Sequence, residues 1–464
     1  MGRTVYAEER LLDYLKTLGG PDVYSVGLIL GQSTAQKDFV VHLARTLPAS
    51  NTDVVEEALI NPATNALQDT TDNYIKSIKD IDGNLVADHA KHVSRMLPGG
   101  MWVLGIFVVG PGDCLSDSSC AQKLRSVLST IHKNLASNIY LHGNSNHENL
   151  VLSFNSITKQ YTCKSVEIST GGIFKPADWK FQKKITKWHQ LEALFDLDHL
   201  FPILDEAAPH TLKRQLQDIV KKLSEIINSA LIVIEGESRS PEDLIEVIGK
   251  KRKNKKDKNE DEEVDKVLQV GIYLPCGLKD KQEDVKTISC RASMRLVGEL
   301  VSRTSIHQKA TIEEATNAVK QDILRSLASR LELHWDSVIE EENGSPEENI
   351  TLHEPPRRVF MELPQSKVTL SDYLFPGEGP QESLVLLKEL LDLDFLESQV
   401  EKDVERQVDP SEFYCQNEVK TVPVDLGKET VTNSQFVLYI AGIIIAFIVV
   451  IIGILVHQLY SSKQ

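Results

Sequence analysis

The chain has 464 residues, 41% of them hydrophobic, and a formal net charge of −16. That length accommodates two domains of ordinary size plus a linker, and the acidic balance excludes nucleic acid as the main partner, because phosphate binding needs a basic footprint. Cys114, Cys120, Cys163, Cys276, Cys290 and Cys415 are scattered, with no CxxC pair and no histidine at zinc-finger spacing, so they read as reduced cytosolic thiols.

The first ten residues are charged and lack an apolar stretch, which excludes a secretory signal peptide. Tyr6 stands where a myristoylation motif after Gly2 needs Ser or Thr. From Glu8 to Leu18, Leu11, Leu12, Leu15 and Leu18 make one apolar helical face, ended by Gly19-Gly20-Pro21. Val23 to Leu30 and Phe39 to Ala44 are β-branched runs that predict strands. Asn51 to Gly83 are polar and acidic and predict a surface loop. Leu85 to Met96 suit a helix stopped by Pro98-Gly99-Gly100, and Trp102 to Val109 predict a buried central strand. Ser118 to Leu135 follow as an amphipathic helix, then strands near Ile139 to Leu141, Leu150 to Phe154 and Tyr161 to Ile168. Together these make a first α/β domain over residues 1–170.

A second, mixed α+β region is expected over residues 171–397. It holds a helix from Thr211 to Asn228 and strands at Leu231 to Ile234, Val267 to Leu274, Ile288 to Leu296, Arg358 to Leu363 and Val368 to Leu374. These surround a long helix, Ile312 to Ile339, whose Ala315, Val319, Ile323, Leu327 and Leu331 form an apolar seam. Residues 250–263, KKRKNKKDKNEDEE, have no apolar side chain and predict a disordered charged loop. Over 398–435 charge rises and hydrophobic density falls, as in a tether.

Phe436 to Val456 then carry no charged side chain. At ~1.5 Å per residue such a helix reaches about 31 Å, the thickness of one hydrocarbon core. Phe436, Leu438, Ile444, Phe447, Ile451 and Leu455 are its anchoring side chains, and only His457 to Gln464 follow. The run therefore predicts a single-pass tail anchor at residues 436–456 with the large preceding part in the cytosol. On that topology the sequons at Asn343 and Asn349 stay unglycosylated.

The sequence holds no P-loop, dinucleotide fingerprint or Gly-x-Ser-x-Gly elbow. His89 and His92 share a helical face but lack a third ligand nearby, and read as a solvated pair. No pattern calls for a cofactor. Gly27 to Gly31 and Gly105 to Pro111 resemble the two signature strands of an MPN domain. Zinc-dependent members carry two histidines and an aspartate where this sequence has Val108, Gly110 and Ala121; Ser118 alone matches, and Val23 to Val26 lack the activating Glu. Valine, glycine and alanine offer zinc no lone pair, so the resemblance implies an MPN-like first domain without metal chemistry, not an enzyme.

A second resemblance spans nearly the whole chain. Met1-Gly2-Arg3-Thr4, the block His92 to Gly100 (HVSRMLPGG), the block Lys175 to Lys180 (KPADWK) and the terminal apolar run are similar to the odorant-response-abnormal protein four family. This resemblance implies a non-enzymatic endoplasmic-reticulum membrane protein that supports folding or trafficking of certain receptors. It also implies a partner, the cysteine protease specific for ubiquitin-fold modifier, held at the bilayer. Arg95, Pro98, Gly105, Phe107, Asp178 and Trp179 are the candidate signature or partner-binding residues, with a turn at Pro176-Ala177-Asp178 as the other role for that block. Two alternatives stay open: a membrane-tethered hydrolase using an unrecognised thiol or metal, and a chaperone that binds receptor tails through the Ile312 to Ile339 seam.

Overall fold

The computed structural model describes residues 2–20, 23–47, 75–140, 148–204, 211–248, 267–275, 289–342 and 354–406. The expected membrane span, the charged loop 250–263, both sequons and most of the tether lie outside the described residues. Among the described residues no helix is long and apolar enough to cross a membrane. Residues 1–407 form one compact unit of mixed α/β architecture.

Strands β1 (Arg3–Glu8), β2 (Ser25–Ser33), β3 (Lys37–Arg45), β4 (Trp102–Gly110), β5 (Asn149–Asn155), β6 (Tyr161–Val166) and β7 (Lys175–Gln182) make a closed barrel in the order β1-β3-β2-β4-β5-β6-β7. Alternation along each strand sorts its side chains to two faces. One face collects Val5, Ile29, Val40, Phe107, Leu152, Cys163 and Trp179, covered by Leu11 and Leu15 of α1 (Glu9–Thr17). The other presents Leu28, Val41, Ile106, Val108 and Val151 to α2 (Gly83–Met96) and α3 (Ser118–Ala136). Asp82 and Asp117 cap these helices, each accepting from the backbone N–H two residues on.

Closure of the barrel departs from the sequence reading. β1 and β7 pair in parallel, with Thr4 opposite Asp178 and Val5 opposite Trp179. Thus Pro176-Ala177-Asp178 lie in a strand and not a turn, and the barrel runs past residue 170 to Gln182. Arg3, next to this pair, is ion-paired with the buried Asp38. Ile139 and Tyr140 form a turn instead of a strand, because the α3 C-cap at Ser137 leads directly into it.

Beyond the barrel, β8 (Trp188–Leu204) and β11 (Cys290–His307) form a long antiparallel ribbon, extended by β10 (Leu268–Tyr273) and β9 (Leu231–Ile234). Its inner face packs on α4 (Leu212–Ser229) and α5 (Ile312–Glu342). A third sheet, β13-β12-β14, joins β12 (Arg357–Glu362), β13 (Thr369–Leu374) and β14 (Val400–Glu401), and packs with α6 (Pro380–Leu391) into the barrel's outer core.

Three expectations are corrected here. The α5 seam of Ala315, Val319, Ile323, Leu327 and Leu331 packs in the core, with Leu331 alone of the five also lining a cavity, so it offers no continuous receptor-binding stripe. His89 is buried and not solvated, because α6 covers it: its Nε2 donates to the Leu390 carbonyl at 2.7 Å while its Nδ1 meets the Thr46 hydroxyl at 2.8 Å. The tether begins later than residue 398, since β14 pairs with β12 and the buried Glu405 carboxylate accepts from the N–H groups of Val301 and Arg358 and from Arg330.

Candidate docking cavity at the α5 joint

The HVSRMLPGG block ends α2 and turns sharply onto α5. Asp322 Oδ1 accepts from the Gly99 N–H at 2.8 Å, and Gln321 Oε1 from the Gly100 N–H at 2.8 Å. Arg325 donates to the carbonyls of Leu97 at 2.9 Å, Pro98 at 3.0 Å and Met101 at 3.2 Å. The turn's polar groups are thereby satisfied by side chains of one helix. Contact is so close that a Cβ at Gly99 would lie 2.0 Å from the Ala318 carbonyl oxygen, which explains a glycine at that position.

Charge in this joint centres on Asp322, one carboxylate that faces two guanidiniums. Arg358 donates twice to Asp322, at 2.8 and 3.0 Å, with both side chains fully buried. Burial opposes the Arg358 charge, but Asp322 outweighs it and raises the guanidinium pKa. Burial pushes Arg325 down to about 10, a shift that Asp322 offsets only in part and Arg358 reinforces. Arg325 also stacks over the Trp102 ring at 4.6 Å, a cation–π contact that covers its apolar stem.

One helical turn further along α5 the surface opens. Glu332 takes Lys91 at 2.8 Å and Arg95 at 3.1 Å. Burial disfavours the Glu332 carboxylate, yet Arg95 and Lys91 together hold its pKa below the ordinary value, so it is ionised at neutral pH. Lys91 and Glu332 form one wall of a cavity of about 570 Å³ between α4, α5 and the turn after α3. Leu216, Val220, Ala328 and Leu331 line its floor, and Tyr140 and Trp335 its sides.

The candidate signature residues fall into three places. Pro98 belongs to the α5 joint, and Arg95 reaches the cavity through its pairing with Glu332. Gly105 and Phe107 lie in the barrel: Phe107 fills its interior, and a Cβ at Gly105 would come within 1.9 Å of the Leu150 carbonyl on β5. Trp179 is buried at the barrel closure, whereas Asp178 is exposed and pairs with Lys180 at 2.7 Å. Lys213, Tyr140 and Trp335 of the cavity come from segments far apart in the chain, so no local spacing could have singled them out together.

The positions compared with MPN zinc ligands also have definite surroundings. Val108 is fully buried on β4, and a Cβ at Gly110 would be 2.3 Å from the Tyr24 ring, which occupies the space a side chain would need. Ala121 sits on α3, and Ser118 begins that helix. Among the described residues no group of three His, Cys, Asp or Glu side chains could hold a metal. Burial pushes the Cys114 thiol up to about 11, which keeps it protonated and a poor nucleophile at neutral pH.

The profile of the family described as Odorant response abnormal 4-like matches residues 27–402, from β2 through β14. The chain belongs to that family. Similar members include a Protein odr-4 homolog from Gallus gallus, 27% identical over 402 residues, covering 84% of each chain. Another from Drosophila melanogaster is 24% identical and covers 99% of this chain and 100% of its own. Odorant response abnormal protein 4 of Caenorhabditis elegans is 24% identical, covering 84% of this chain and 80% of its own. The ODR4-like match therefore takes in the α5 joint, the cavity and the third sheet together. Among solved structures, the crystal structure of UfSP from C. elegans aligns with 85% of this chain and 57% of its own at a TM-score of 0.39 and 7% identity.

Proposed function

We propose that this ODR4-like chain is a non-enzymatic, tail-anchored adaptor of the endoplasmic-reticulum membrane. Its cytosolic unit recruits the ubiquitin-fold-modifier-specific cysteine protease and supports folding or trafficking of a subset of G-protein-coupled receptors. The observation that carries the reading is the family match over residues 27–402 combined with an apolar run at Phe436 to Val456 long enough for one bilayer crossing.

The barrel is read as a degenerate MPN domain that serves as a docking surface. Val108, Gly110 and Ala121 carry no group that binds zinc, and Tyr24 fills the space beside Gly110. An adaptor needs two things: a surface that binds, and an address. On this reading the compact unit of residues 1–407 supplies the first and residues 436–456 the second.

The test has two arms. Residues 1–434, expressed without the apolar run, should recover the protease in a pull-down while remaining off membranes; the full chain should recover it on them. A fragment that never captures the protease overturns the recruitment role, and native glycan on Asn343 or Asn349 overturns the topology.

A further inference from the structure

The cavity beside the joint is chemically lopsided. Its floor, Leu216 and Val220 from α4 with Ala328 and Leu331 from α5, is buried and apolar. Its one lining carboxylate, Glu332, is already held by Lys91 and by Arg95 behind it. Lys213, at the α4 edge of the cavity, is exposed and has no ion-pair partner among the described residues. Among the described residues the cavity's one charge without an ion-pair partner is therefore positive, on a chain whose overall charge is −16.

Exposure favours a macromolecular occupant over a small ligand. Small-molecule sites enclose most of their ligand's surface. Here Ile139 stands on the rim 73% exposed, an apolar side chain that a larger surface would cover. Tyr140 and Trp335, partly buried against the core behind them, are rigid aromatic walls of the kind that anchor protein contacts.

We propose that this cavity docks an acidic, apolar peptide segment of a partner protein. One apolar side chain of that segment sits on the floor between Leu216 and Leu331, and a neighbouring carboxylate pairs with Lys213. The inference stands on the cavity's chemistry and holds whether or not the recruited partner is the protease.

Binding to the full-length chain is measured by fluorescence anisotropy with an array of short labelled peptides. Each carries Leu, Phe or Met between Asp and Glu residues, with matched controls that replace the acids by Lys or the apolar residue by Ala. Acidic, apolar peptides should bind about tenfold or more tightly than either control. Lys213→Glu should invert the preference between acidic and basic peptides at an unchanged denaturation midpoint, and Ile139→Asp should weaken the acidic ones. Equal binding of acidic and basic peptides, or an unaltered preference in Lys213→Glu, overturns the proposal. So does an array with no binder, or Lys213-dependent binding of dodecanoate in place of peptide, which would make the cavity a small-amphiphile site.

Discussion

The two stretches of α5 that meet the HVSRMLPGG block do so in opposite ways. From Ala318 to Arg325 the helix is bound to the Leu97 to Met101 turn by paired charges, backbone hydrogen bonds and a glycine contact with no room for a methyl group. From Ala328 to Trp335 it borders open space, with an ion pair at one wall and, on α4, a lysine that has no ion-pair partner among the described residues. The difference separates structure from recognition: charge that is answered within the chain fixes a joint, while charge left unanswered beside an apolar floor is available to a partner.

Removing the joint's central carboxylate should give the largest effect. Asp322→Ala strands Arg358 and Arg325 without their buried counter-charge, and a loss of about 3–5 kcal/mol is expected in chemical denaturation. A change below about 1 kcal/mol would mean that the joint is held by packing instead.

Acid should loosen a second joint, where His42 Nε2 donates to the Leu391 carbonyl at the end of α6. Burial is the main cause that pushes His42 from 6.5 down to about 4, and burial also lowers His89 beside it. The fold thus favours the neutral rings. For His42 the contribution, about 3 kcal/mol, is full above about pH 6.5 and is lost as pH falls towards 4, and that of His89 is likewise lost on acidification. A His42→Gln variant should show a shallower fall in denaturation midpoint over that window; an equal slope would remove His42 from the account.

Gly99→Ala should cost about 1–3 kcal/mol, because α5 or the turn must move to admit the new methyl group. Lys213→Ala, at the open end, should change stability by less than about 0.5 kcal/mol. If these two variants destabilise equally in thermal denaturation, the contrast between the two stretches of α5 disappears. Asp178→Ala should leave the midpoint unmoved, since its exposed pairing with Lys180 is screened by water.

Much of the fold was legible where local pattern coincides with burial. β2, β4 and β5 are near-continuous apolar runs enclosed on both faces, and α3 keeps Leu124, Val127, Leu128 and Ile131 on one side as its spacing requires. β7 carried only a short signal, the alternation of Ala177, Trp179 and Phe181, which Pro176 and the surrounding charges make read as a turn, and its partner β1 lies at the other end of the barrel's sequence. β8 did carry a signal, the period of two in Leu191, Ala193, Phe195 and Leu197, which intervening charged and polar residues obscure to a search for apolar runs. α6, which the sequence reading passes over, also carried a signal, Pro380 at its first turn and Ser383, Leu387 and Leu391 at i+4 spacing. The HVSRMLPGG block was visible as a sequence, but its purpose depends on Asp322 and Arg325, more than two hundred residues away. Such a pairing has no local trace. The cavity is less legible still, because four separate segments create it.

Glu405 places a constraint on the order of synthesis. Its carboxylate accepts from the Val301 amide, 104 residues earlier, and from the Arg358 amide, 47 residues earlier. At about 5–20 residues per second the β11 amide waits roughly 5–20 s for its acceptor to be translated. Until then the long ribbon and the third sheet lack a shared buried anion, so this part of the unit sets only when residue 405 arrives, and a ribosome stalled a few codons earlier would hold an incompletely locked nascent chain.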